Sequence, residues 1–249
     1  EQTAPASQKT QGVVTTGGDN QVAGYWNSGN TGVDITVPIA DDSSINGGTV
    51  QLLVSTDGGG SFVPLDTPST ISAVNTNKTI SVASGVLEGV AGFGESDVLQ
   101  FKATITDTSG NATTGTVSDT TLTVDQTAAT ISTSSIASDN ATVTLAKTGD
   151  TVTLTIATNE NVSSPTVTFT SGGAAATNAD TVSGASPGTS FTSAYTVDAS
   201  DTDGTVAISI TATDVAGNTT SGFTTISAGS VTVDTTAPTI STSSIASDN

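Results

Sequence analysis

The side chains able to do chemistry in this chain are almost all carboxylates. Of 249 residues, 23 are Asp or Glu and 4 are Lys; there is no Arg, His or Cys, and the formal charge is −19. Without imidazole or thiol there is no Ser-His-Asp triad, no Cys nucleophile, no His/Cys zinc site and no haem ligation. Lys9, Lys78, Lys102 and Lys147 are too few to build a phosphate-binding surface, which argues against nucleic acid as a partner. What remains is carboxylate and carbonyl oxygen, the ligand set of hard cations such as Ca2+.

The acids sit in loops rich in Gly, Ser, Thr and Asn. Asp107-Thr108-Ser109-Gly110-Asn111 and Asp214-Val215-Ala216-Gly217-Asn218 share one Asp-x-x-Gly-Asn pattern. Asp198, Asp201 and Asp203 fall within seven residues and end on Gly204. Asp-x-Asp-Gly is half of an EF-hand loop, but the bidentate Glu that must follow is missing, so this is not an EF-hand. Each loop also has a plainer reading as a tight turn, in which Gly supplies positive φ and Asp or Asn bonds its own backbone. Two carboxylates could in principle form a glycosidase pair. Nothing in these polar loops raises a carboxyl pKa, and aromatics are only 4% of the chain, so no catalysis is expected. Tyr25-Trp26 could stack a sugar; a lone Trp in a small β domain more commonly caps the core.

The elements that must position these loops are strands. Apolar residues alternate with Thr and Ser at period 2, and β-branched Thr suits an outward strand face. The alternation predicts strands over Ile35–Ile39, Val50–Val54, Ile80–Val82, Leu99–Ile105 and Leu122–Val124, then over Val143–Leu145, Val152–Ile156, Val167–Phe169, Tyr195–Val197, Val206–Ile210 and Val231–Val233. Turn clusters such as Asn46-Gly47-Gly48 and Asp57-Gly58-Gly59-Gly60 separate them. No stretch has helical periodicity, and no apolar run is long enough to span a membrane. Six or seven short strands in about 110 residues is the arithmetic of an Ig-like antiparallel β-sandwich.

The pattern occurs more than once. Residues 132–140 and 241–249 are identical, Ser-Thr-Ser-Ser-Ile-Ala-Ser-Asp-Asn, and the residues preceding them also agree. This divides the chain into a longer sandwich over 1–124, a second over 125–233, and the start of a third repeat over 234–249. Aligning Leu99, Phe101, Ala103, Ile105 with Val206, Ile208, Ile210, Ala212 exchanges Ala and Ile between neighbouring positions and keeps the buried volume, as a shared core requires. With no initiator Met, no signal peptide and a last copy that stops early, the sequence is expected to be a window on an extended tandem array.

Three segments, Thr232-Val233-Asp234-Thr235-Thr236-Ala237-Pro238, Gly149-Asp150-Thr151-Val152-Thr153-Leu154 and Asp214-Val215-Ala216-Gly217-Asn218, together resemble the bacterial Ig-like tandem repeats of large secreted surface adhesins. The resemblance covers nearly all of 125–233 and the linker, the Asp107–Asn111 loop and the last strands of 1–124. It implies calcium at domain junctions, export to the cell surface and a mechanical role. In an Ig-like sandwich the loop between the last two strands lies at the same pole as the N-terminus. Asp214 and Asn218 are then expected near Asp125, and Asp107 and Asn111 near Glu1. At the opposite poles, Asp150, Asp198, Asp201 and Asp203 would face Asp234, and Glu95 and Asp97 would face Asp125. Asp180, in a Gly/Ala/Thr-rich stretch, is expected to lie away from every junction. The expected function is a Ca2+-stiffened spacer whose partners are neighbouring repeats. The alternative is a subunit that assembles with identical chains into a surface layer, sheath or filament; a carbohydrate-binding module around Trp26 is a third.

Overall fold

Alternating Val, Ile and Thr commit the chain to strands because branched side chains sit well on a half-buried pleated surface. The computed structural model describes residues 3–18, 20–178 and 182–248, which are built almost wholly of strands. Two compact units result: Glu1–Ala128 together with Val215–Asn218, and Ala129–Asp214 together with Thr219–Asn249.

The first unit holds β1 (Gln11–Thr16), β2 (Tyr25–Trp26), β3 (Gly32–Ile39), β4 (Thr49–Ser55), β5 (Val63–Thr70), β6 (Thr76–Ala83), β7 (Val98–Thr106), β8 (Ala112–Thr114) and β9 (Leu122–Val124). One sheet runs β1-β3-β6; the other runs β2-β9-β7-β4-β5, with β8 also on β7. All pairs are antiparallel except β2 with β9. Two sheets with Greek-key order are the Ig-like sandwich. Strand β5 carries Pro64 and Pro68 and lies at a sheet edge, where a missing N–H costs no ladder bond.

Burial alternates along β7, so Leu99, Phe101, Ala103 and Ile105 face inward at 2% exposure or less. They meet Val33, Ile35 and Val37 of β3 and Val82 of β6 in one core. Trp26 is fully buried in that core, and its indole Nε1 donates to Glu88 Oε1 at 3.1 Å. Trp26 therefore fills the sandwich instead of presenting a sugar platform. The Ser84–Leu87 segment forms one short α-helical turn and Ser43–Ile45 one 3-10 turn, both too short for the sequence periodicity to show.

The second unit holds β10 (Ile131–Ser138), β11 (Leu145–Ala146), β12 (Thr151–Val162), β13 (Thr166–Ser171), β14 (Ala174–Ala175), β15 (Gly188–Thr196), β16 (Gly204–Thr213), β17 (Thr219–Phe223) and β18 (Thr232–Val233). One sheet runs β10-β12-β15; the other runs β11-β18-β16-β13-β14, with β17 also on β16. Here too one short pair, β11 with β18, is parallel. Val152, Leu154 and Ile156 of β12 share a core with Phe169 of β13 and Ile208 and Ile210 of β16. Phe169 meets Tyr195 of β15 from the facing sheet, with ring centroids 5.1 Å apart and planes at 43°, which adds to the area they bury.

The aligned positions Ala103/Ile105 and Ile210/Ala212 are all buried at 2% exposure or less. The two units thus build the same interior from exchanged residues. Their outward faces pair Thr hydroxyls across strands, Thr36 with Thr79, Thr104 with Thr114 and Thr213 with Thr219. Residues 234–248 contain no strand.

Candidate metal-binding loops

The Asp107–Asn111 loop joins β7 to β8. Asp107 is buried, and its Oδ1 accepts the N–H groups of Ser109 and Asn111, both at 2.8 Å. Its Oδ2 accepts Asn111 Nδ2, also at 2.8 Å. These bonds, the Asn111 side chain first, hold the Asp107 carboxyl below the usual carboxylate range. Gly110, at φ 91, closes the turn. Glu1, expected beside this loop, lies outside the described residues, as does Asp180.

The second copy of the pattern is divided. Asp214 follows β16 in the second unit, is 2% exposed and bridges to Val162. In that unit Glu160 offers a carboxylate oxygen within 4.8 Å of one from Asp214. Val215–Asn218 belongs to the first compact unit. There Asn218 Nδ2 donates to the Asp125 carbonyl at 2.9 Å and to Asp125 Oδ1 at 3.3 Å. Asn218 Oδ1 accepts the Ser28 N–H and hydroxyl at 3.0 and 2.8 Å.

Glu160 was not among the ligands expected from sequence. Its signal is the run Asn159-Glu160-Asn161, which interrupts the apolar alternation of β12 where the β15 register shifts between Ala157 and Val162. A polar interruption at a bulge re-aims a side chain.

At the other pole of the first unit, Glu95 accepts the Gln126 N–H on both oxygens, at 3.1 and 2.9 Å. Asp97 is half-buried, donates its N–H to the Gly94 carbonyl at 3.2 Å, and its Oδ2 is buried with no partner among the described residues.

The acids at the far pole of the second unit are taken up by hydrogen bonds within their own turns and to the segment after β18. Asp150 Oδ2 accepts Asn140 Nδ2 at 2.7 Å and the Lys147 N–H at 2.8 Å, and its Oδ1 accepts Lys147 Nζ at 3.1 Å. The Asn140 bond, then those of Lys147, lower its pKa to about 2. Asp198 caps Ser200, whose hydroxyl and N–H lower its pKa. Asp201, 6% exposed, accepts Thr177 on one oxygen and the Asp198 N–H on the other. Asp203 accepts the N–H and hydroxyl of Thr235 and the hydroxyl of Thr236, which lower its pKa in that order. Asp234 caps Thr236 at 3.0 Å. Among the described residues, Asp198, Asp201 and Asp203 do not gather into one three-carboxylate group. Lys102, out of phase with the core of β7, lies over the Phe62 ring at 3.8 Å.

No family model matches the chain, and no curated protein matches it. Solved structures similar to it include an I-band fragment of titin, with 9% identity and a TM-score of 0.42 over 92% of this chain and 64% of that one. Another is a tetra-tandem repeat in the extending region of a large adhesion protein, with 18% identity and a TM-score of 0.32 over 92% of this chain and 50% of that one. The FN1–FN3 domains of chicken CNTN1 show 12% identity and a TM-score of 0.33 over 94% of this chain and 69% of that one. The chain thus spans less than two thirds of the first two. Among the described residues, no helix is long and apolar enough to cross a membrane.

Proposed function

We propose that these sandwiches are spacer repeats of a large exported cell-surface or adhesion protein, without catalysis and stiffened by Ca2+ at the junctions between repeats. The observation that carries the reading is one Ig-like core built twice in the chain, with compensating exchanges at Ala103/Ile105 and Ile210/Ala212. Repetition of a closed sandwich adds length without adding a cleft. Strands of about 10 residues at about 3.4 Å each give a sandwich of about 35–45 Å, so a series of repeats would hold a terminal module far from its anchor.

The mechanism is electrostatic. A formal charge of −19 makes neighbouring repeats repel and their linkers flex, and a bound divalent ion would neutralise acids near the linker and fix the angle. The ligands proposed are Asp125, Asp214 and Asn218, joined by Glu160 because its carboxylate lies beside that of Asp214. Asp107, Asn111, Glu1, Glu95, Asp97, Asp150, Asp198, Asp201, Asp203 and Asp234 remain candidates for further sites. Those whose oxygens already accept two or more backbone or side-chain donors would have to give up bonds to a metal.

Calcium titration calorimetry on the full chain tests this reading. Binding that is weakened by Asp214→Asn and by Glu160→Gln supports it. No heat of binding at millimolar Ca2+, or binding indifferent to both changes, would sink it.

A further inference from the structure

Val215–Asn218 is held on one pole of the first compact unit by a specific set of bonds. Ser28 donates its N–H and hydroxyl to Asn218 Oδ1 at 3.0 and 2.8 Å, and Asn218 Nδ2 donates to the Asp125 carbonyl at 2.9 Å. Asn27 Nδ2 donates to the Ala216 carbonyl at 2.7 Å. Gly217 sits at φ 101, and a Cβ there would lie 2.4 Å from the Asn20 carbonyl oxygen and 2.8 Å from Asn27 Nδ2. Ala216 is fully buried and Asn218 is 4% exposed. In the same pattern at Asp107–Asn111, Ser109 and Gly110 are exposed, and a Cβ on Gly110 would meet nothing within 4 Å. Burial of the Gly-Asn pair therefore comes from its seat and not from the turn.

The second unit builds the same pole from its own residues. Leu145-Ala146 runs parallel to Thr232-Val233 as Tyr25-Trp26 does to Thr123-Val124. The Asp234 N–H donates to the Ala146 carbonyl and the Asp125 N–H to the Trp26 carbonyl, both at 2.9 Å. The Lys147 N–H donates to Asp150 Oδ2 and the Asn27 N–H to Asn30 Oδ1, both at 2.8 Å. Lys147, Thr148 and Asp234 thus stand where Asn27, Ser28 and Asp125 stand in the first unit. Thr235 and Thr236 are bonded to Asp203, so the course of this segment is set within the second unit. Lys147, Thr148 and residues 234–238 line a cavity of about 380 Å³, in the range that seats a ligand.

This pole carries the groups that hold Asn218 in the first unit. Thr148 brings an N–H and a hydroxyl, and Asp234 brings a carbonyl and a carboxylate. Lys147 takes the place of Asn27 as the donor beside them. It is the only Lys or Arg after residue 102, and its side chain is 69% exposed. The one cation of the second unit therefore stands where an aspartate-bearing loop would arrive.

We infer that the Lys147, Thr148 and Asp234 pole is the seat for the Gly-Asn pair of an Asp-x-x-Gly-Asn loop in the repeat that follows. The inference rests on the spacer reading above and adds to it a hydrogen-bonded seat that needs no metal. The Asn amide is read on both sides, its oxygen by Thr148 and its nitrogen by Asp234. A side chain that cannot both accept and donate leaves one side unpaired. Because a linker joins the two partners, the contact is intramolecular and needs little affinity of its own.

Residues 241–249 repeat 132–140, so the full chain can be continued from Asn249 into a copy of residues 141–234, which completes a further sandwich. Amide exchange by NMR then compares Thr148 with Ser28, in millimolar Ca2+ and in chelator. In the 249-residue chain the Ser28 N–H should be protected in Ca2+ and the Thr148 N–H should exchange fast. In the longer chain the Thr148 N–H should slow at least about tenfold in Ca2+. Asn218→Ala in the added copy alone should restore fast exchange at Thr148 and leave Ser28 unmoved. The same protection in chelator would keep the seat and count against calcium stiffening, so the two readings fail separately. A Thr148 amide that exchanges alike at both lengths, or protection that survives Asn218→Ala in the added copy, would overturn the inference.

Discussion

Replacing Trp26 by Ala separates the core role of this residue from a binding role. Trp26 is the only Trp in the chain and is fully buried among Val33, Leu99, Val124 and their neighbours. Large-to-small truncation of a buried aromatic costs about 3–5 kcal/mol through lost transfer energy and the cavity left behind. For a unit of roughly 130 residues, with an unfolding entropy of about 2.1 cal/mol/K per residue, that lowers its melting temperature by roughly 10–18 °C. Trp26→Phe should cost less, about 1–2 kcal/mol, since it keeps most of the volume and forfeits the indole bond to Glu88. Differential scanning calorimetry on the full chain reads both changes. In the parent protein, fluorescence follows the first unit alone and should be blue-shifted and poorly quenched by acrylamide. A Trp26→Ala protein that melts within about 2 °C of the parent would refute the core assignment, as would an emission band that shifts on adding oligosaccharide.

Ser134→Ala should destabilise the second unit by about 1–3 kcal/mol in denaturant unfolding, because the Thr225 carbonyl and Ser227 lose a buried partner; a midpoint unchanged within error would contradict the tie. Gly229→Ala should be at least as costly, since Gly229 sits at φ 78 and a Cβ there would lie 2.1 Å from the Ile136 carbonyl oxygen; unaltered thermal unfolding would show that β10 does not hold that position. The folded pKa of Asp150 is lowered from 3.8 to about 2, so the folded form binds fewer protons between those values. Its stabilising contribution is complete above about pH 4 and is lost as pH falls through about 2. Its carboxyl carbon resonance should titrate near 2 by NMR, and a midpoint near 4 would contradict the bonds to Asn140 and Lys147.

Strands whose inward positions are all apolar were legible in the sequence. β7 and β16 alternate cleanly because each buries one face against the opposite sheet, and β3, β4 and β12 do the same. β10 escaped the alternation because its inward face is Ser134, Ile136 and Ser138, with two small polar residues satisfied by hydrogen bonds instead of apolar contact. β17 escaped it because Thr219–Phe223 includes Gly222 at φ 68 and follows a register shift on β16. β5 carries two prolines, which mask an edge strand. The Asp-x-x-Gly-Asn loops were legible as loops, and Asp107 and Asn111 show why their spacing works: it closes a carboxylate on backbone N–H groups two and four residues on. Sequence spacing made Asp198, Asp201 and Asp203 look like one cluster. Their side chains instead point to different backbone donors, a direction that spacing alone does not carry. Glu160 was hidden for the opposite reason, since its neighbour Asp214 is distant in sequence and meets it only through strand pairing.

Small-angle scattering of the full chain, in Ca2+ and then in excess chelator, tests the spacer proposal most directly. In Ca2+ a narrow distribution of domain arrangements is expected, together with a higher melting temperature that reflects about 2.7 kcal/mol of added stability at a hundredfold excess over Kd. Chelator should broaden the distribution and leave the strand content by circular dichroism unchanged, and Asp125→Asn in Ca2+ should move the profile toward the chelated one. Superimposable profiles and melting curves in the two conditions would contradict calcium stiffening, and loss of strand signal in chelator would contradict the claim that each sandwich stands on its own core.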